Sequence, residues 1–245
     1  MPTFRRFDTV PSTQELAVAL AHSGAEPGTT LVARRQESGK GRAGHSWSSP
    51  EGGLYLSTIV SAPRDGSTLF PLSVCARIGE SLGERYSVTT AVKWPNDLLV
   101  PRRSGAPQKL AGLIVDRVQS PRHRDLLVTG IGLNVAPSRS AFPPEIADRV
   151  AILSELAEPA PSVDQVEALV GREIVAAAEE LDRPGGVGAS FRRCRAALYG
   201  RGRRARVDGK PAGRIQDISD DGALWLEGEN GPVPIYTGGL EVEDE

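Results

Sequence analysis

Between Gln36 and Ser57 the chain reads QESGKGRAGHSWSSPEGGLYLS, five glycines and two cations, Lys40 and Arg42, set between apolar β-like runs. Glycines let a backbone approach a ligand closely, and cations beside them suit an anion. Residues Gly39–Gly44 match G-x-G-x-x-G after a strand-like run, so dinucleotide binding must be weighed. That chemistry needs a helix N-terminus at the pyrophosphate and a ribose-binding acid about 20 residues on. The chain continues instead into His45-Ser46-Trp47-Ser48-Ser49-Pro50, a poor helix start, and then into a strand. A Walker A loop fails as well, because Gly41 follows Lys40 and Arg34 holds the place of the first glycine. What remains is a long anion-binding loop or a plain surface linker; Trp47 and the strongly apolar flanks favour the loop.

Three further groupings concentrate polar chemistry. Lys93-Trp94-Pro95-Asn96-Asp97 gathers a cation, an amide and a carboxylate at a sharp turn. Such a set can hold a phosphate, read a base or ribose edge and help hold a magnesium ion, or it can be an ordinary Pro-Asn-Asp turn. Lys109 stands at the mouth of the apolar run Leu110–Val115, where it either points at a ligand over the sheet or is simply solvated; Gly112 permits close approach there. Asn134 ends the glycine-interrupted run Gly130–Val135, alone a weak signal.

The elements that must position these residues read as follows. Thr3–Asp8 predicts a strand, and Ser12 with Glu15 three residues on opens a helix that Gly24 ends. Strands are expected at Thr29–Arg35, Leu54–Val60, Ala91–Trp94, Leu98–Val100, Lys109–Val118 and, by number, 124–135. Helices are expected at Phe70–Leu82, Ile146–Leu156, Val163–Leu181 and Ser190–Leu198. Near Tyr199 the character changes to short runs (Arg203–Val207, Gly213–Ile218, Ala223–Glu227, Val233–Tyr236) with hairpin signals at Asp208-Gly209 and Asp221-Gly222. A small β-barrel over 198–245, after a main domain over 1–197, is the expectation.

Composition bounds the function. Against 29 basic residues stand 31 acidic ones, a formal charge of −2, so any anion binding comes from local placement of cations. Two distant cysteines, Cys75 and Cys194, and three scattered histidines suggest neither a disulfide framework nor a zinc site. An apolar run of about 18 residues is lacking, which predicts no membrane span and a cytoplasmic protein.

Together and in order, Ser12-Thr13-Gln14, the Gly39–Pro50 loop, Lys93–Asp97, Lys109–Leu113 and Gly130–Asn134 closely resemble the motif series of the biotin protein ligase family. Three positions depart from it: Gln14 stands for the usual asparagine, and Lys40 and His45 for arginines. The resemblance implies an α/β (α+β) fold, a mixed sheet flanked by helices in a class II synthetase-like catalytic domain with a C-terminal β-barrel. It implies that biotin and Mg-ATP give biotinyl-5′-AMP and pyrophosphate, and that a lysine of a biotin carboxyl carrier domain, part of a biotin-dependent carboxylase, then takes the biotin. By the same resemblance Arg42 and Lys109 are the catalytic pair. Ser12, Thr13, Gln14, Gln36, Gly39, Lys40, Gly41 and Gly112 join them at biotin. Lys40, Arg42, Trp47, Lys93, Asn96 and Asn134 meet the nucleotide, and Asp97 the Mg2+. A homodimer is common in the family. Because Ser12 comes so early, the expected form is monofunctional, without a DNA-binding module or specific DNA binding. A lipoate-type ligase shares the fold and the chemistry but lacks the Gly-x-Gly-Arg loop joined to Lys-Trp-Pro-Asn-Asp. A non-catalytic biotin-binding paralogue is the reading that His45 motivates.

Overall fold

A computed structural model of the chain describes residues 1–123, 125–228 and 231–243. The elements are β1 (Thr3–Val10), α1 (Thr13–His22), β2 (Thr29–Gln36), β3 (Leu54–Ser61), α2 (Phe70–Tyr86), β4 (Ala91–Lys93), β5 (Asp97–Val100), β6 (Gln108–Val118) and β7 (Leu126–Leu133). They continue with α3 (Pro144–Ala147), α4 (Val163–Leu181), α5 (Gly186–Ala197), β8 (Arg204–Val207), β9 (Lys210–Ile218), β10 (Leu224–Gly228), β11 (Gly231–Ile235) and β12 (Leu240–Val242).

The first seven strands form one mixed sheet in the order β1-β2-β3-β7-β6-β5-β4. Only the β1–β2 pair is parallel. Both faces are covered. Leu31, Ile59 and Val128 pack with Ala17 and Ala21 of α1, while their chain neighbours Val32, Val60 and Leu127 join the core beneath α2 and α4. Burial on both faces is why these strands read as apolar runs rather than as a clean alternation.

Ser12 caps α1 as expected, its Oγ accepting from Glu15 N–H at 3.4 Å. The helix ends at His22, before Gly24, which takes φ 84°. Helix α2 runs to Tyr86 rather than Leu82, and stops where Ser87 turns left-handed at φ 57°. Helix α4 has the expected bounds and a full Ser162–Gln165 capping box. Helix α5 starts at Gly186, not Ser190, directly after Gly185 at φ 75°. The expected strand start at residue 124 lies outside the described residues.

The helix expected over Ile146–Leu156 does not form; α3 is short, and a single 3-10 turn follows at Leu153–Glu155. The backbone between them bonds elsewhere: Lys109 N–H donates to Arg149 O at 2.8 Å and Ala151 N–H to Lys109 O at 2.9 Å. Those carbonyls and amides cannot also serve a helix.

After α5 come five antiparallel strands in the order β11-β10-β9-β8-β12. Asp208 and Gly209 both have positive φ (50° and 74°), as a two-residue hairpin turn demands. Strand β12 carries no sequence signal of its own; it pairs with β8. Ala205, Ile215, Ile218, Leu224, Leu226 and Leu240 join the same core as α2 and α4, so the two sheets share one apolar interior. Two hydrogen bonds reinforce the join: buried Trp94 Nε1 donates to Gly222 O at 3.0 Å, and Tyr199 N–H to Val92 O at 2.8 Å. Among the described residues no helix is long and apolar enough to cross a membrane.

Cys75 and Cys194 are 0% and 1% exposed. Burial pushes the Cys194 thiol up to about 12 and the Cys75 thiol well above its usual range. A thiol reacts as the thiolate, so both should resist a disulfide reagent such as DTNB in the native protein at pH 8 and titrate rapidly in denaturant. Fast native labelling of either would contradict the packing.

Candidate active site

The glycine loop folds back as a narrow hairpin over the sheet. Trp47 N–H donates to Gly39 O at 2.8 Å and Gly41 N–H to His45 O at 2.7 Å, and a 3-10 turn at Arg42–Gly44 makes the tip. Ala43 and Gly44 sit there at φ 51° and 79°. A side chain on Gly39 would meet Trp47 O and Ser49 Oγ at 2.6 Å, so this glycine serves the base of the hairpin and lines neither cavity described below.

The hairpin delivers Trp47 to the sheet. Its indole lies over Gly112 of β6 and Gly132 of β7, which are cross-strand partners. A Cβ on Gly132 would come within 2.3 Å of the indole, and one on Gly112 within 3.0 Å. The Lys109 ammonium stands 5.2 Å from the indole centroid. Trp47 Nε1 is buried without a hydrogen-bond partner.

On one side of Trp47 is a narrow cavity of about 50 Å³ with a polar wall. Ser12, Thr13 and Gln14, at the start of α1, are all buried. Thr13 donates through N–H and Oγ1 to Gln36 Oε1 at 2.8 and 3.1 Å, and Gln36 Nε2 donates to Ser49 Oγ at 3.0 Å. Ser57 Oγ has Thr13 Oγ1 and Gln14 Oε1 as acceptors, each at 3.0 Å. Lys40, Gly41, Arg42, Asn96, Lys109 and Gly112 line it too, and Leu113, Ile114, Gly130, Ile131 and Gly132 of the sheet add to the lining.

On the other side is a cavity of about 590 Å³ where Lys93, Asp97 and Asn134 meet Phe142, Tyr199 and Glu241. Trp47 and Lys109 line both. Buried Asn134 donates through Nδ2 to Lys109 O at 3.3 Å, while its Oδ1 is buried without a partner. A buried acceptor without a partner, on a residue that lines a cavity, is a group a ligand N–H can satisfy.

Two cations of the small cavity, Lys109 and Arg42, are held on short tethers. Lys109 Nζ pairs with Asp97 Oδ1 at 2.8 Å, and Arg42 Nη1 donates to Asn96 Oδ1 at 3.2 Å. Asn96 is itself fixed, donating to Leu113 O and accepting through its own carbonyl from Leu113 N–H. Burial lowers the Lys93 ammonium below its usual range, an effect that Asp97 opposes and Lys109 reinforces. Lys40 pairs at 3.0 Å with Glu15, but both side chains are about half exposed, so this link contributes little. His45 is exposed and lines neither cavity.

Comparison with known proteins supplies the family. A family model described as the biotin/lipoate A/B protein ligase family matches residues 6–134, more than half the chain. The chain belongs to that family. A second model, the biotin protein ligase C-terminal domain, matches residues 204–239 of this ligase-family chain. Bifunctional ligase/repressor BirA of Bacillus subtilis is 29% identical over 262 residues, covering 96% of this chain and 72% of that protein. The biotin–[acetyl-CoA-carboxylase] ligase of Paracoccus denitrificans is 30% identical over 153 residues, covering 59% of this chain and 60% of that protein. The structure of biotin protein ligase from Aquifex aeolicus in complex with biotin and ATP superposes with a TM-score of 0.81 at 28% identity, over the whole of both chains.

Several lining residues escaped the sequence reading of this family member. Ser57 carried a signal, a serine inside the apolar run Leu54–Val60 that turns out fully buried. Gly132 lay in a motif credited only for Asn134. Phe142, Tyr199 and Glu241 gave no local signal, because they reach the cavity from outside the motif-bearing strands.

Gly132→Ala is expected to lift the Trp47 indole off the sheet. Acrylamide should then quench the protein's tryptophan emission more strongly, and the gain should vanish in a Trp47→Phe background. Unchanged quenching would mean that the indole does not rest on this floor.

Proposed function

We propose that the chain is an ATP-dependent biotin protein ligase. The observation that carries this reading is the meeting of two cavities at Trp47 and Lys109: a small polar one, which Arg42 also lines, and a nucleotide-sized one. A cyclic urea carries two donors and one acceptor, and the hydroxyls of Thr13 and Ser57 with the amides of Gln14 and Gln36 match such a ring in a buried pocket. The biotin carboxylate then lies toward Arg42 and Lys109, and the nucleotide extends past Lys93 toward Asn134.

In the first half-reaction a carboxylate oxygen attacks the α-phosphorus of ATP and the bond to pyrophosphate breaks. Negative charge gathers between carboxylate and phosphate, where the Arg42 guanidinium and Lys109 ammonium offset it. Lys40 assists from the loop, and Asn96 keeps Arg42 aimed. Asn134 offers its open acceptor to the adenine amine, and Trp47 shelters the mixed anhydride. In the second half-reaction the amine of a lysine on a carrier domain of a biotin-dependent carboxylase attacks the acyl carbon, and AMP leaves.

Magnesium enters with the triphosphate. It needs only one or two protein carboxylates beside phosphate oxygens and water, and Asp97 fits that part by lining the larger cavity. Bound there, the ion neutralises phosphate charge. Among the described residues no cluster of three His, Cys, Asp or Glu makes a site that holds a metal without the nucleotide. We further assign residues 1–197 to the catalytic domain and 198–245 to a small second domain whose Tyr199 and Glu241 complete the nucleotide cavity. Use of ATP supports a cytoplasmic location.

Biotin-dependent ATP–pyrophosphate exchange, followed by transfer of labelled biotin to an apo carrier domain, tests the reading. Lys109→Ala and Arg42→Ala should each lower exchange by about 10²-fold or more, the scale of losing one preorganised charge-stabilising group. Exchange driven by lipoate instead of biotin, or biotin binding without exchange, would overturn the assignment.

A further inference from the structure

The Gln14 amide has one orientation imposed on it from outside the small cavity. Its Nε2 donates to Asp116 Oδ2 at 2.8 Å and to Val128 O at 2.9 Å. These acceptors come from a registered pair of neighbouring strands, Asp116 on β6 opposite Val128 on β7. Both amide hydrogens are thereby used. Turning the amide over would set Oε1 against a carboxylate and a carbonyl oxygen, so the observed orientation is the one the surroundings accept. Oε1 therefore faces the cavity. It accepts from Ser57 Oγ, and lies 2.5 Å from where a Cβ on Gly130 would stand. Gln14 is 4% exposed, whereas Asp116 is exposed and absent from the cavity lining.

From Gln14 a series of polar groups follows, each within hydrogen-bonding distance of the next. Ser57 has one hydroxyl hydrogen and two acceptors at equal distance, Gln14 Oε1 and Thr13 Oγ1. Thr13 passes its own hydrogen to Gln36, and Gln36 donates to Ser49 in the loop that carries Trp47. A ligand N–H offered to Gln14 Oε1 releases the Ser57 hydrogen toward Thr13 and leaves every member of the wall partnered. If the Gln14 amide were reversed, Nε2 would face the Ser57 hydroxyl and the ligand's N–H with hydrogens of its own.

We propose that Asp116 is a positioning residue for biotin: through the Gln14 amide it fixes an acceptor oxygen in the cavity floor for a ureido N–H. Asp116 itself touches no ligand. The inference rests on the biotin reading of this cavity and adds to it a determinant outside the cavity.

The test reads biotin affinity of the full chain by calorimetric titration without ATP, and exchange kinetics separately. Asp116→Ala should weaken biotin about tenfold, the scale of one well-placed hydrogen bond, with KM for ATP, exchange rate at saturating biotin and thermal stability unchanged. Asp116→Asn keeps a side-chain carbonyl within reach of Nε2 and should bind within about twofold of wild type. Asp116→Lys puts a donor where an acceptor stood and should weaken biotin more than alanine does. Equal affinity across the three variants overturns the proposal. So does a parallel loss of biotin affinity, ATP use and stability in Asp116→Ala, which would mark a structural role. Wild-type protein that binds biotin without exchange would defeat the ligase reading, and the Asp116 series would still decide this one. Wild-type protein that does not bind biotin would defeat both.

Discussion

The candidate site depends on one packing constraint: an indole can lie flat on β6 and β7 only where both strands lack side chains. Gly112 and Gly132 are cross-strand neighbours, and even one added carbon on Gly132 would come within 2.3 Å of the ring. With that floor in place Trp47 divides the face of the sheet into a small polar cavity and a larger one. The hairpin from Gly39 to Trp47 reaches across from β2 to supply the divider, and its left-handed tip at Ala43 and Gly44 lets Arg42 turn back toward Asn96. The division leaves Lys109 lining both cavities, with Arg42 at the smaller one.

Those cations need company when no anion is present. A partly buried ammonium or guanidinium without a partner carries a large desolvation cost, and the site meets it with Asp97 for Lys109 and Asn96 for Arg42. Lys93 has less help, and burial holds its ammonium below the usual range. An incoming anion favours its charged form. In the proposed ligase reaction the cations are held before the reactants arrive, which is what makes fixed charges effective.

Rigidity behind Lys109 comes from unusual backbone bonding. Strand β6 is paired with β5 and β7 on its two sides, and the Arg149–Ala151 stretch adds hydrogen bonds at Lys109 itself. The second sheet contributes from the far end: its apolar residues enter the same core as α2 and α4, and the Trp94–Gly222 bond ties it to the Lys93–Asp97 turn. Tyr199 and Glu241 can therefore stand across the larger cavity from Lys93.

Local chemistry in the chain was enough to locate the motif strands, the capped start of α1 and the span of α4, and it singled out Arg42 and Lys109. Glycine-rich loops, caps and apolar periodicity are short-range signals, written within a few residues of where they act. Element ends were less legible, since where a helix stops depends on partners far along the chain. The helix expected at Ile146–Leu156 is lost because its backbone groups find Lys109, about forty residues earlier in the sequence. The orientation of the Gln14 amide, the indole on its glycine floor and the Tyr199–Glu241 wall belong to tertiary structure alone. Each joins residues that are distant in sequence, and only the assembled sheet and the shared core bring them within hydrogen-bonding or packing distance.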